Sequence, residues 1–322
     1  MHKVLEELGT IGIIPVIKID DPEGAVPLAK ALAAGGIPCA EVTFRTAQGE
    51  EAIRRISAGA PEILVGAGTV LTTDQVDRAI GAGAQFIVSP GYNPKIVGYC
   101  LERGIPIAPG CSNPSDFEQA LEAGLEVVKF FPAEQSGGIA YIKAVAAPYG
   151  GLKFIPTGGI NAGNIGAYMA CDRVLACGGT WMVSPELLKA GDFAGISALS
   201  REAVFAMLGF EAAHVGLNAG SGEAARQGAA LISRLFGFPV NEGNSSIFAG
   251  PYLELMKSPA AAGTRGHIAI ATTAIVRARA YLERQGVVFD PASIKTGAGG
   301  NLNVIFARDE ILGFAWHLVQ KK

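Results

Sequence analysis

Glu126-Val-Val-Lys129-Phe-Phe131-Pro132 is the stretch on which the reading of the fold turns. Past its first residue it is apolar except for one lysine. Apolar and polar residues do not alternate, so both faces of the strand it predicts are buried. Strands of that kind belong to parallel sheets covered by helices. Seven further runs share its character, at 11–17, 40–44, 63–69, 86–90, 106–110, 154–159 and 174–179. Each is rich in β-branched or aromatic residues, or is bounded by Gly or Pro. Helical patterns lie between them, for example at 22–34, 48–57, 73–82 and 114–123. Asp21-Pro22, Thr72-Thr73-Asp74 and Asn113-Pro114 supply helix-start signals.

Eight strand–helix units predict an α/β fold, a (β/α)8 (TIM) barrel over residues 1–195. A doubly wound open sheet is the structural rival. No G-x-G-x-x-G follows the first strand, which counts against a dinucleotide-binding version of that rival. Beyond about residue 201 the pattern changes. A linker helix is expected over 196–208, and then a weak internal repeat begins. One copy runs from His214-Val-Gly-Leu through a helix-like 222–236 to Gly237-Phe-Pro-Val. The other runs from His267-Ile-Ala-Ile through 274–284 to Gly286-Val-Val-Phe. Short alternating strands close each copy, in Tyr252-Leu-Glu-Leu-Met and Phe314-Ala-Trp-His-Leu-Val. Residues 209–322 are therefore read as a small α+β domain of paired βαβββ modules.

Bulk composition narrows the function classes. Of 322 residues, 49% are hydrophobic and 17% charged, which excludes a disordered chain. A net charge of -3 argues against a nucleic-acid-binding surface. The apolar run at 11–17 is far too short for a ~30 Å bilayer core, so no membrane span is expected. Cys39, Cys100, Cys111, Cys171 and Cys177 are odd in number, scattered and without a CxxC pair. That predicts a reduced, cytoplasmic protein rather than a disulfide scaffold. All five precede residue 200, whereas His214, His267 and His317, three of the four histidines, follow it. The asymmetry points to two chemistries.

Functional residues of such a barrel sit at the C-terminal ends of its strands. Lys129 stands in an otherwise apolar strand, and lysine is seldom fully buried unless paired or functional. Burial favours the neutral amine that attacks a ketone. A lysine at an edge, or salt-bridged to a neighbour, is the competing reading. Glu41, in Ala40-Glu-Val-Thr-Phe, is either a proton-transfer group or a structural partner of Arg45 or Lys129. Arg45 offers a fork that matches a carboxylate, or is a surface arginine at a loop start. The Thr157-Gly158-Gly159 and Gly178-Gly179-Thr180 loops follow the seventh and eighth strands, where barrels commonly hold phosphate. Cys111 is read as packing, because no histidine in the barrel body is there to activate it.

Together, Glu41-Val-Thr-Phe-Arg-Thr, Val65-Gly-Ala-Gly-Thr-Val, Phe86-Ile-Val-Ser-Pro-Gly, Val128-Lys-Phe-Phe-Pro-Ala and Phe154-Ile-Pro-Thr-Gly-Gly-Ile resemble one family. It is the 2-keto-3-deoxy-6-phosphogluconate (KDPG) / 4-hydroxy-2-oxoglutarate (KHG) aldolases, which are class I pyruvate aldolases. The resemblance covers about residues 1–195, with the motifs in order. It implies a small keto-acid substrate, no cofactor for the aldolase, and a homotrimer. Lys129 would form the Schiff base, and Glu41 would shuttle protons through a water. Arg45 and Thr69 would hold the pyruvate carboxylate. Pro90 and Phe131 would wall the site, and Thr157 would sit beside the imine. Gly158, Gly159, Gly179 and Thr180 would take the distal phosphate. Cys111-Ser-Asn-Pro and Thr180 depart from the common pattern, the latter standing where serine is usual.

The paired modules of residues 209–320 resemble the vicinal-oxygen-chelate (glyoxalase/dioxygenase-like) superfamily. That superfamily places metal ligands on the first and last strand of each module. Here those positions read His214 and Glu254, then His267 and His317. The set suits a divalent Zn, Ni, Mn or Fe ion. A metal-free module with core histidines is the alternative. Three functions follow for the whole chain: an aldolase, a bifunctional enzyme, or a keto-acid-binding scaffold with an assembly module.

Overall fold

The computed structural model describes residues 1–258 and 262–321. The chain divides into two compact units, Met1–Met207 and Leu208–Lys322.

The first unit carries β1 (Ile13–Ile17), β2 (Cys39–Thr43), β3 (Leu64–Gly68), β4 (Ile87–Val88) and β5 (Ile107–Ala108). It continues with β6 (Gly110–Cys111), β7 (Val127–Phe130), β8 (Lys153–Pro156) and β9 (Cys177–Gly179). One run of parallel neighbours is β5-β4-β3-β2-β1-β9 and the other is β6-β7-β8. Pro109 alone separates β5 from β6, and bridges Phe154↔Val174 and Thr157↔Gly178 join the β8 region to β9. The ring closes as eight parallel strands. β1, β2, β3 and β7 are buried along their whole length, as strands lined on both faces must be.

Helices pack outside the ring and several start on the expected signals. Asp21, Thr72 and Asn113 each accept a backbone N–H with the side chain, and so does Asn93, a start that sequence reading did not name. Helix Phe193–Leu208 ends the unit; its Ser197 and Ser200 approach Gly35 so closely that a Cβ there would collide with them.

Two expectations need correction. Ile11 does not open the first strand. It ends helix Lys3–Ile11, whose Leu5, Leu8 and Ile11 form one buried face, and Gly12 stops the helix at φ 84°. A terminal apolar residue fits either period, and the glycine decides between them. The strand expected at 106–110 is broken at Pro109, which has no N–H to pair, although its carbonyl accepts from Lys129 N–H at 2.9 Å.

The second unit is one mixed sheet. Its strands are β10 (Glu211–Asn218), β11 (Val240–Glu242), β12 (Ser246–Ala249), β13 (Leu253–Met256), β14 (Gly266–Thr272), β15 (Lys295–Thr296), β16 (Leu302–Phe306) and β17 (Phe314–Gln320). The order is β11-β12-β13-β10-β14-β17-β16-β15. Helix Gly222–Phe236 links β10 to β11, and helix Ile275–Arg284 follows β14. The two halves thus repeat the same sequence of elements and meet where β10 and β14 pair antiparallel. Ala225, Ala229, Ile247, Ala249 and Leu255 form the core of the first half.

Candidate active site and candidate metal centre

Among the described residues of the first unit, the buried polar or charged side chains are Glu41, Thr43, Ser89, Lys129, Thr157 and Ser200. All but Ser200 lie in barrel strands or directly after them. Polar groups withdrawn from water are unfavourable unless satisfied, so their concentration at one end of the ring marks that end as functional.

Lys129 is only 6% exposed and Glu41 only 2%. Lys129 Nζ donates to Glu41 Oε1 at 3.3 Å across the barrel. This removes the edge-lysine reading and brings the two expected groups together. Nζ also lies 5.3 Å from the Phe131 ring centroid. Glu41 is held against β3, because Gly68 has no side chain: a Cβ there would fall on the Glu41 carboxyl. Gly66 makes room for the Phe86 ring in the same way.

Thr69 follows β3 with φ 56°, one of two non-glycine residues in the left-handed region among the described residues. For a β-branched residue that conformation is strained, and such strain concentrates at ligand sites. Arg45 follows β2 by two residues and is exposed. Its Nε donates to Thr43 Oγ1 at 3.2 Å, and no carboxylate among the described residues pairs with it. Pro90 is half-buried, and its carbonyl packs where a side chain on Gly110 would stand. Phe131 is 37% exposed at the end of β7.

The glycine loops differ from simple turns. Gly158 and Gly159 adopt φ 100° and 80°, unavailable to most residues. Thr157 O accepts from Ala133 N–H at 2.8 Å and Gly158 O from Glu134 N–H at 3.1 Å, which anchors the loop to the segment after β7. The Glu134 side chain packs under Gly159 and accepts from the buried Tyr168 hydroxyl. Burial, helped by that bond, pushes the Tyr168 phenol well above its ordinary range. Gly178 gives space to the Thr157 side chain, and Gly179 to the Trp181 ring; Thr180 is exposed after β9. Sequence reading missed Thr43, Glu134 and Tyr168. Only Thr43 carried a signal, being two residues from Glu41 and so on the same strand face.

In the second unit the four expected ligands converge. Ala269 pairs with both His214 and His317, while Gly216 pairs with both His267 and Glu254. Cross-strand partners share a face, so all four side chains point to one side of the sheet. Ligand atoms of His214, His267 and His317 lie within 4.8 Å of one another. Glu254 Oε2 is 3.2 Å from His214 Nε2 and 3.1 Å from His267 Nε2. Gly216 leaves space that the His267 ring fills. Ser246 donates to Glu254 Oε1 at 2.6 Å, leaving Oε2 to the histidines. Burial alone would raise the Glu254 pKa, but hydrogen bonds from His214, His267 and Ser246 outweigh it and hold the carboxyl well below its usual range. Burial pulls His317 down to about 4, so at neutral pH it is an uncharged donor. Phe248 and Phe306 flank the cluster, at 5.4 Å from His214 and 4.4 Å from His317 between ring centroids.

A closed parallel barrel with a buried lysine–carboxylate pair at the C-terminal ends of its strands is built for lysine chemistry on a small molecule. The chain belongs to the KDPG and KHG aldolase family, whose model matches residues 4–199. A 2-dehydro-3-deoxy-phosphogluconate aldolase of Treponema pallidum is 51% identical over 202 residues, covering 63% of this chain and 96% of that one. The Haemophilus influenzae enzyme of the same name is 46% identical, with coverage of 63% and 96%. A solved KDPG aldolase from Legionella pneumophila, holding pyruvate as a covalent carbinolamine, superposes with a TM-score of 0.60 at 37% identity. It covers 61% of this chain and 96% of that one.

Proposed function

We propose that the barrel is a class I aldolase that cleaves 2-keto-3-deoxy-6-phosphogluconate, 4-hydroxy-2-oxoglutarate or both. The products are pyruvate and an aldehyde, glyceraldehyde 3-phosphate or glyoxylate. The observation that carries this reading is the buried contact of Lys129 Nζ with Glu41 Oε1.

In the reaction, Lys129 Nζ adds to the substrate ketone carbon, and loss of water gives a protonated imine. A base removes the C4 hydroxyl proton; the C3–C4 bond breaks, its electron pair entering the imine to form an enamine. The aldehyde leaves. A proton returns to C3, and water hydrolyses the imine to pyruvate and free lysine. Glu41, placed beside Nζ, is the group to move those protons, directly or through a water. Arg45 and Thr69 take the carboxylate, Pro90 and Phe131 wall the site, and Thr157 stands beside the imine. Gly158, Gly159, Gly179 and Thr180 take the distal phosphate through backbone N–H groups and a hydroxyl. A homotrimer, with a cytoplasmic location, accompanies the family reading.

The proposed domain division is 1–195 for the barrel, 196–208 for a linking helix and 209–322 for the second domain; the helix itself starts earlier, at Phe193, and packs on the first unit. We infer that this last is a vicinal-oxygen-chelate-like pair of βαβββ modules. His214, Glu254, His267 and His317 would hold one divalent ion (Zn, Ni, Mn or Fe), which supplies Lewis-acid chemistry when bound. Three imidazoles and a carboxylate on one sheet face fit such an ion. That cluster favours a bifunctional enzyme as the second reading.

Pyruvate release from a panel of phosphorylated and unphosphorylated 2-keto-3-deoxy acids tests the first reading. Turnover at ordinary enzyme rates is expected for at least one member, and none for any would leave only a keto-acid-binding scaffold. Metal analysis after purification without chelator tests the second, and less than stoichiometric metal contradicts it.

A further inference from the structure

Arg45 stands at the mouth of the barrel, after β2, on an exposed turn where a long side chain is free to wander. One contact limits it. Its Nε donates to Thr43 Oγ1 at 3.2 Å, and the Thr43 hydroxyl donates in turn to Ile17 O at 2.9 Å. Thr43 is only 1% exposed and Ile17 is the last residue of β1. The guanidinium is therefore tied through a buried hydroxyl to the carbonyl of a neighbouring barrel strand.

A guanidinium can meet a carboxylate along either of two edges, Nε with one Nη or the two Nη groups together. With Nε engaged, the Nη1/Nη2 edge is the one left to a ligand. Threonine suits this position because its hydroxyl can accept from Nε and donate to Ile17 O at once, and because a β-branched side chain is stiff at χ1.

We infer that Thr43 is a positioning residue for keto-acid binding, which fixes the Arg45 fork so that its terminal edge receives the substrate carboxylate. The inference rests on the aldolase reading above. Loss of the hydroxyl frees the guanidinium, weakening the ground state and the transition state alike.

The test is steady-state kinetics of pyruvate release, with the pyruvate concentration for half-maximal borohydride trapping as a second readout. Thr43→Val is expected to raise KM and the half-trapping concentration about tenfold, with kcat within about twofold of wild type. Thr43→Ser keeps the hydroxyl and is expected to restore KM. In an Arg45→Ala background, Thr43→Val is expected to add nothing to KM. If Thr43→Val does not fold by circular dichroism, Thr43→Ala, which only deletes atoms, carries the same expectations. An unchanged KM, a loss confined to kcat, or an additive effect in the Arg45→Ala background overturns the inference. Absence of any pyruvate adduct in the wild-type protein fails the aldolase reading instead, so the two failures are distinguishable.

Discussion

Lys129 and Glu41 are two ionisable side chains withdrawn from water and in contact at 3.3 Å. Removing one partner of such a pair leaves the other unpaired in a dry site, which is destabilising. Glu41→Gln keeps the shape and removes the base. It is expected to lower kcat by about 10²–10⁴-fold while the folded content by circular dichroism is kept. The cysteines make a contrasting case. Burial pushes Cys100 up to about 12, and burial with Asp116 nearby pushes Cys111 higher still. A thiol is reactive only as thiolate. In the native protein at pH 8, Cys100 and Cys111 are therefore expected to resist iodoacetamide, as read by peptide mass spectrometry; rapid labelling of Cys111 with loss of activity would contradict the packing role. His317 gives the pH dependence. Its native pKa, about 4, lies below the ordinary 6.5, so between those values the unfolded chain binds the proton and the native one does not. Stability of the metal-free second unit is expected to be constant in this respect above pH 6.5 and to fall as pH drops towards 4. His317→Gln is expected to flatten that slope in thermal melts.

At the scale of elements, glycines in strands carry the geometry. Gly68→Ala would drive the Glu41 carboxyl off β3, and Gly216→Ala would displace the His267 ring. The first is expected to lower kcat by about 10²-fold, the loss that follows a misplacement of about 1 Å, with the metal content unchanged. The second is expected to lower metal content with kcat for pyruvate release unchanged. Effects of both variants on both readouts would contradict the assignment of one chemistry to each sheet. Much of this geometry is legible in sequence. Lys129 and Glu41 announce themselves as charges in apolar runs, and the strand-end motifs occur in order. His214, Glu254, His267 and His317 came from the resemblance of the paired modules to one superfamily, and strand pairing brings the four to one face of the sheet. What stayed hidden depends on partners remote in sequence or on rival local signals. Ile11 fits a helix face as well as a strand. The Tyr168–Glu134 bond joins residues that no local pattern relates. The spacing of Thr43 from Glu41 shows which face it shares, but the use of its hydroxyl emerges only when Ile17 and Arg45 are seen on either side of it.

The chain as a whole is two compact units, each with its own sheet. An ion that binds only the folded second unit raises that unit's stability by mass action, about 2.7 kcal/mol at 100 times its Kd. Calorimetry with and without Zn²⁺ is expected to move one transition by several degrees and leave the barrel's transition and pyruvate release unaltered. Movement of neither transition would count against the metal. Whether Lys129 carries the chemistry is decided by reducing the protein with borohydride in the presence of pyruvate and sequencing its peptides by mass spectrometry. A single pyruvyl adduct on Lys129, lost in Lys129→Ala, is the expected result. An adduct on another lysine, or one that survives in Lys129→Ala, would show that Lys129 is not the Schiff-base lysine.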